Sequence, residues 1–352
     1  MTKKRAKKMS TINNFLRIKA KKPEFVVVGD AHLCEKAPSC RVDNYSETCL
    51  KKLEFVLDYC IDNQIQVAIM EGDFFHKQQI PIPYLTKIIK TLNDKKAEYR
   101  IKHKDDMIIA TIIGNHDLPF ENYKFIERSP IYLMFEAGAL THFRFIEIKS
   151  GNISINISGF DYAKEIEKST VENECCIAHC FYGFDFVKAI PDDEKEASRD
   201  RITEEQAKEL GYKVYFLGHD HNCYGVSDKG SYYVVRSGSL LRNSSHIQQI
   251  NRLPCFYHVK YDGSRFEFLN VLVSNAEASE SVFTKQALEK PKKPELDETV
   301  KQKISDIIAQ LSEDIKEENS VTEILDNIIK EKNIDSEVRD VLLRYFSREN
   351  IL

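Results

Sequence analysis

Five short runs in this chain carry side chains able to act together: Asp30-Ala31-His32, Gly72-Asp73, Gly114-Asn115-His116-Asp117, His179 and Gly218-His219-Asp220-His221. Their donor atoms are carboxylate oxygen, amide oxygen and imidazole nitrogen. That borderline-to-hard set suits manganese, iron or zinc rather than a thiolate-selected metal. Seven of these groups, Asp30, His32, Asp73, Asn115, His179, His219 and His221, could hold two ions if one carboxylate bridges them. Two ions about 3.5–4 Å apart can activate a water and clamp the oxygens of a phosphate ester during in-line displacement. His116 is then the spare imidazole, free to protonate a leaving alkoxide, with Asp117 orienting it. A lone Asp-x-His or Gly-Asp is most often a capped turn. Five such runs, each closing an apolar stretch, point to one converging site.

The stretches that deliver these residues have strand character. Residues 25–28 form a β-branched run ending at Gly29-Asp30, 67–70 one ending at Glu71-Gly72-Asp73, and 107–113 one ending at Gly114. Between them, apolar positions at helical spacing (Leu50, Leu53, Val56, Leu57, Cys60) predict a helix over 45–61. Pro81 and Pro83 open a second helix with Leu85, Ile88, Ile89 and Leu92 on its inner face. Strand and helix in alternation imply right-handed crossovers and parallel neighbours. After about residue 140 the pattern turns β-rich. Residues 143–148 and 153–157 alternate around Ser150-Gly151-Asn152, a hairpin signal. Residues 176–178 lead to His179, and 213–217 to Gly218. An acidic loop spans 183–200, and Thr203-Glu204-Glu205-Gln206 is a capping box. Further strands are expected over 232–235, 256–259 and 266–273. Two sheets packed face to face, with helices outside, would bury both sets.

Bulk properties bound the reading. The 352 residues are 42% hydrophobic and 30% charged, as in a soluble globular protein. No run approaches the roughly 18 apolar residues of a membrane span, so no membrane association is expected. The net charge of −4 hides a basic arm, residues 1–22, with nine Lys or Arg and no acid. Such an arm suits an anionic partner such as nucleic acid, or serves as a solubilising or targeting tail. No apolar segment follows it, so a secretory signal is not expected. The nine cysteines lack a C-x-x-C pair and zinc-ribbon spacing. They are expected to be reduced, and Cys175, Cys176 and Cys180 to be packing groups rather than ligands. The compartment implied is reducing: cytoplasmic or nuclear, or a host cytoplasm for a viral chain. Residues 274–295 have linker composition. Residues 296–352 carry three amphipathic stripes, beginning with Leu296, Val300, Ile304 and Ile307. They are expected to form either a self-packed bundle or a partner-binding segment. A homodimer is left open.

The order D-x-H, G-D, G-N-H-D, H, G-H-x-H resembles the calcineurin-like metallophosphoesterases over about residues 25–272. Within that superfamily the chain is most similar to the SbcD-like double-strand-break repair nuclease subunits. The likeness rests on Asp30-Ala31-His32-Leu33 with Arg41-Val42-Asp43, on Gly72-Asp73-Phe74-Phe75-His76, and on Ser237-Gly238-Ser239. The resemblance implies an α/β fold, a two-sheet β-sandwich flanked by helices, as a domain over 23–273. It implies a first metal on Asp30, His32 and His221, a second on Asn115, His179 and His219, and Asp73 as the bridge. It makes His116 the acid, Mn2+ the ion, DNA the substrate, and an SbcC-like coiled-coil ABC ATPase the partner of the C-terminal helices. The Arg of the protein-phosphatase pattern G-D-x-x-D-R-G is absent, since Phe-Phe-His-Lys follows Gly72-Asp73. His76 is expected either to line the site or to stand behind it. The competing functions are a small-molecule phosphodiesterase or phosphatase, and a non-catalytic scaffold.

Overall fold

The computed structural model describes residues 14–183, 201–244 and 247–289. The first part holds β1 (Asn14–Lys19), β2 (Glu24–Val28), α1 (Tyr45–Asn63), β3 (Val67–Met70), α2 (Ile82–His103), β4 (Ile108–Thr111) and α3 (Pro130–Glu136). Next come β5 (Thr141–Ser150), β6 (Ile153–Phe160), β7 (Cys175–His179), β8 (Phe181–Tyr182), β9 (Arg201–Ile202), α4 (Glu204–Leu210) and β10 (Val214–Gly218). The last part holds β11 (Gly225–Asp228), β12 (Tyr233–Arg236), α5 (Ile247–Asn251), β13 (Cys255–Tyr261), β14 (Phe266–Leu272), α6 (Ser279–Val282) and α7 (Lys285–Glu289).

The strands form two layers of order β14-β13-β2-β3-β4 and β5-β6-β7-β10-β12-β11. They are continuous through the long β5: Thr141 and His142 pair with β4, whereas residues 145–150 pair with β6. Strands β2, β3 and β4 run parallel, as the alternation with helices predicts. Side-chain parity explains why they read as unbroken apolar runs. Val26, Val28, Ala68 and Met70 pack beneath α1 and α2, while Phe25, Val27, Val67 and Ile69 face the second layer. In that layer Ile177, Val214 and Phe216 face inward, and Cys176, Tyr215 and Leu217 face the side of α4. The Phe25 and Phe216 rings meet edge to face at 5.7 Å between the layers. Strands buried on both faces have no polar side to alternate with. The result is an α/β sandwich of two sheet layers with helices outside.

The capping box expected at 203–206 is present: Thr203 and Gln206 bond reciprocally at the start of α4. Asn44 caps α1 by accepting the Glu47 N–H, a signal the sequence reading does not use. Cys175 and Cys176 are packed on opposite faces of β7. Among the described residues no helix is long and apolar enough to cross a membrane.

Two sequence-based boundaries move. Residues 14–19, assigned above to the basic arm, are β1, which runs parallel to β5 with Ile18 buried and Phe15 against Phe145 at 6.3 Å. Arg17 and Lys19 are on the exposed face of this strand, Arg17 reaching Glu147 of β5 at 3.4 Å, so the cations hid the strand. The front of the supposed linker is also docked. Phe283 is buried between the guanidinium groups of Arg41 and Arg242, at 5.3 and 5.5 Å from its ring. Arg242 also donates to the Glu277 carbonyl at 2.5 Å and to Ser279 Oγ at 2.7 Å. That polar stretch looks like a linker because its packing partners come from residues more than 30 positions away. The acidic loop expected over 183–200 lies outside the described residues from 184 on, as do the helices expected over 296–352.

Candidate metal centre

Five strands from both layers end at one place. β2 delivers Asp30, β3 Asp73, β4 the segment 114–117, β7 His179 and β10 His219 and His221. Carboxyl ends of parallel strands are where α/β sheets open a crevice, because connecting loops diverge there. Close backbone approach requires small residues at these ends. A Cβ on Gly114 would collide with Asp73 Oδ1, and one on Gly218 would meet the Glu71 carbonyl. Asp73, His32 and His219 hold positive φ (44°, 46° and 84°), strain that the surrounding packing sustains.

Two donor groups share Asp73, and a third, of His32, His76 and His116, lies beside them. Asp30, His32, Asp73 and His221 form the first, and Asp73, His179 and His219 the second. In the first, His32 Nε2 lies 2.7 Å from His221 Nε2 and 3.6 Å from Asp73 Oδ2, and His221 Nε2 lies 3.6 Å from Asp30 Oδ2. In the second, His179 Nε2 lies 3.1 Å from Asn115 Oδ1 and 3.4 Å from Asp73 Oδ2. The Glu71 carbonyl accepts His179 Nδ1–H at 2.8 Å, which turns Nε2 toward the centre. Asp73 Oδ2 is buried without a hydrogen-bond partner while imidazoles of both groups face it. A divalent cation on each side would satisfy that oxygen, so these residues fit a two-ion cluster.

Electrostatics favour the same occupancy. Burial lowers His32 well below the ordinary imidazole range, His219 to about 3 and His221 to about 4. Neutral imidazoles keep a lone pair for a metal. Burial alone would raise Asp73, but His179 and His32 hold it well below the usual carboxylate range, so it stays ionised. Burial works against a charge on His179, yet Asp73 and Asp30 raise it to about 10. The His179 proton then faces Asp73, a role that a cation would take over.

His116 is in neither of the groups that share Asp73, but with His32 and His76 it forms a further cluster whose ring nitrogens lie close enough to hold an ion. Its backbone N–H donates to Asp73 Oδ1 at 2.8 Å, and its ring Nδ1 lies 2.8 Å from the His76 carbonyl. The His76 ring stacks on it at 5.3 Å, with His76 Nδ1 3.4 Å from His32 Nδ1. His76 therefore lines the site. Asp117 does not orient His116. Its buried carboxylate accepts the backbone N–H groups of Gly114, Phe74 and Phe75 at 3.0, 3.3 and 3.2 Å, tying the β4 loop to the β3 loop. Two short segments with unpaired N–H groups meet there, and a carboxylate satisfies both.

Sequence reasoning missed three further residues. Glu71 is buried behind Asp73, accepts Ser237 Oγ–H at 2.9 Å and is raised to about 8, first by burial and then by Asp30. Tyr162 and Phe181 wall the centre, their rings 5.7 and 4.1 Å from that of His219. Each lies two residues beyond a strand end, a position that gains meaning only from the strand order.

The model of the calcineurin-like phosphoesterase family matches residues 23–223, a span that contains every residue described above from Asp30 to His221. The chain belongs to that family. Its typical complement of two divalent ions agrees with the two donor groups that share Asp73. No curated protein sequence is significantly similar to the chain. Among solved structures it is similar to a dimetal phosphatase from Danio rerio, with 11% identity, a TM-score of 0.43, and coverage of 71% of this chain and 96% of that one. It is also similar to the sulfate thiohydrolase SoxB from Thermus thermophilus in complex with glycerol, with 10% identity, a TM-score of 0.36, and coverage of 76% and 60%. Family membership rests on the sequence match and the site.

Proposed function

We propose that the chain is a two-metal phosphodiesterase acting on DNA, a nuclease of recombination or repair. The observation that carries the hydrolytic reading is Asp73, shared by two donor groups that leave His116 out, with the His116 backbone N–H donating to its Oδ1. DNA as substrate is supported by the nuclease-like segments at 30–33, 41–43, 72–76 and 237–239, and by the absence of the phosphatase Arg after Asp73. The oxygen and imidazole donor set suits manganese, iron or zinc, and Mn2+ is proposed among them on the resemblance to the nuclease subunits.

Asp30, His32 and His221 would hold one ion, Asn115, His179 and His219 the other, with Asp73 between them. When bound, the ions supply water activation and charge neutralisation at the phosphate. The protein supplies position and a proton. The strand ends hold the donors rigidly, because their loops are tied by Asp117 and by the Glu71 carbonyl. His116 Nδ1–H is taken up by the His76 carbonyl, so in the imidazolium the Nε2–H is the proton open to a leaving alkoxide. His76, stacked on that ring, keeps its plane fixed.

The deciding experiment gives the purified protein Mn2+ with end-labelled duplex DNA and, in parallel, with nucleotide monoesters. Cleavage of DNA is expected; hydrolysis of the small esters alone would replace the nuclease reading with a phosphatase. In the same assay His116→Ala is expected to lower turnover by about a thousandfold, the span of general acid catalysis. Its metal content should stay normal, and loss of both ions would show that His116 is a ligand. The segment after Glu289 is proposed to dock a coiled-coil ABC ATPase, a reading supported by its three apolar stripes. Truncation after Glu289 keeps the docked Phe283 and should spare DNA cleavage while removing ATPase co-purification. Retained association would place the interface elsewhere.

A further inference from the structure

We propose that Cys223 and Cys255 are a reversible disulfide site that acts on the metal centre through the loop carrying His219 and His221. Their Sγ atoms lie 3.6 Å apart, 32 positions apart in the chain. Cys255 opens β13, pairs with Leu272 across β14 and is buried, its thiol 3.8 Å from the Ser237 carbonyl. Cys223 is half-buried, two residues beyond His221, in the connection from β10 to β11. One sulfur is thus seated in a sheet, and the other is within reach of a small oxidant.

The chemistry closes with a small-molecule disulfide such as oxidised glutathione. The Cys223 sulfur attacks it, forming a mixed disulfide and releasing one thiol. The Cys255 sulfur then displaces the second thiol and forms the internal bond. Two protons and two electrons leave the protein and appear on the two released thiols. An S–S bond measures about 2.05 Å, so the sulfurs must approach by roughly 1.5 Å.

The loop is the part that gives. Cys255 is held in the ladder between β13 and β14, whereas Cys223 lies in a connection that has no ladder and is tied at its neighbours, by Asn222 N–H to Asp220 and Tyr224 N–H to the Arg236 carbonyl. The His221 carbonyl accepts Gln249 Nε2–H at 2.6 Å and the Ser239 N–H at 3.2 Å. A shift at Cys223 therefore moves His221, whose Nε2 stands 2.7 Å from that of His32. Cys60, Cys175 and Cys176 are poor competitors, being fully buried in apolar surroundings, whereas Cys40 is half-buried like Cys223 and any adduct on it is read separately in the digest. This coupling rests on His221 being a metal donor. The cross-link itself is read by mass and does not depend on the nuclease reading.

The test incubates reduced full-length protein with oxidised glutathione, blocks free thiols and maps the digest by mass spectrometry. A cross-linked Cys223–Cys255 peptide, reversed by dithiothreitol, is expected. Mn2+ binding to the oxidised form, measured by calorimetry, should weaken about tenfold, the lower end of effects from groups that hold ligands in place. Cys223→Ser and Cys255→Ser should each remove both changes and keep the Mn2+ affinity of the reduced protein. The half-buried Cys223→Ser keeps the test clear if Cys255→Ser folds poorly. Glutathione retained on Cys223 without a cross-link, or a cross-link with unchanged Mn2+ affinity, would overturn the proposal.

Discussion

Asp73→Asn is expected to strip metal from both donor groups and to lower phosphoester turnover by three orders of magnitude or more, about 4 kcal/mol of transition-state stabilisation. The substitution is nearly isosteric. Asparagine tolerates the positive φ of 44° at this position, so the backbone gains no new strain. Its amide oxygen can still accept the His116 N–H that now bonds Oδ1. What changes is Oδ2. An NH2 group would stand where His32 and His179 face a carboxylate oxygen at 3.6 and 3.4 Å, and the negative charge shared by both groups would vanish. Asp30→Asn is the contrast, since Asp30 stands in only one donor group and should weaken that group first. The measurements are metal content of the native protein by mass spectrometry and turnover on DNA in Mn2+. Full metal content with turnover within about tenfold of the parent would remove Asp73 from its bridging place.

Lys52→Met is expected to stabilise the fold by roughly 4 kcal/mol at neutral pH, with a gain that fades in alkali. Lys52 lies on α1, is only 2% exposed, and its Nζ has no hydrogen-bond partner. Burial, and then the charges of Arg242 and Arg41, depress it from 10.5 to about 7. Arg41 already engages the nearby carboxylate of Asp43 through two nitrogens. The sign follows from proton counting. Below about pH 7 both folded and unfolded chains carry the proton, so the folded state bears the full cost of a buried cation. Between about 7 and 10.5 the unfolded chain holds a proton that the folded one has released, so wild-type stability recovers as pH rises. Methionine keeps the aliphatic stem packed and removes the charge. Urea unfolding of both proteins at pH 7 and at about pH 9.5 reads the difference. An equal gain at both pH values would mean that packing, not charge, is responsible.

How much of this was legible beforehand differs from one element to the next. Strand β3 was readable in full, because its four residues are buried on both faces and nothing polar interrupts them. Helix α1 was readable from its apolar spacing, whereas its Asn44 cap came only with the structure. Strand β1 was not, because it lies at a sheet edge with cations on its outer face and only Ile18 buried. The docked stretch around Phe283 was not, because Arg41 and Arg242 make its pocket.

The donor inventory was set by local sequence. A polar ligand placed directly after a strand buried on both faces can only emerge where the sheet ends, so Asp30, Asp73, Asn115, His179 and His219 were bound for one edge. Which donor faces which was decided by strand order alone. His32 meets His221 across 189 positions, and Asp73 falls between two groups drawn from both layers. Asp117 looked like a partner for its chain neighbour His116, yet its carboxylate is held by backbone N–H groups from the β3 loop as well as from Gly114. Chain proximity proposes such pairs, but a buried carboxylate goes to whichever donors would otherwise be left unpaired, and only the assembled sandwich determines those.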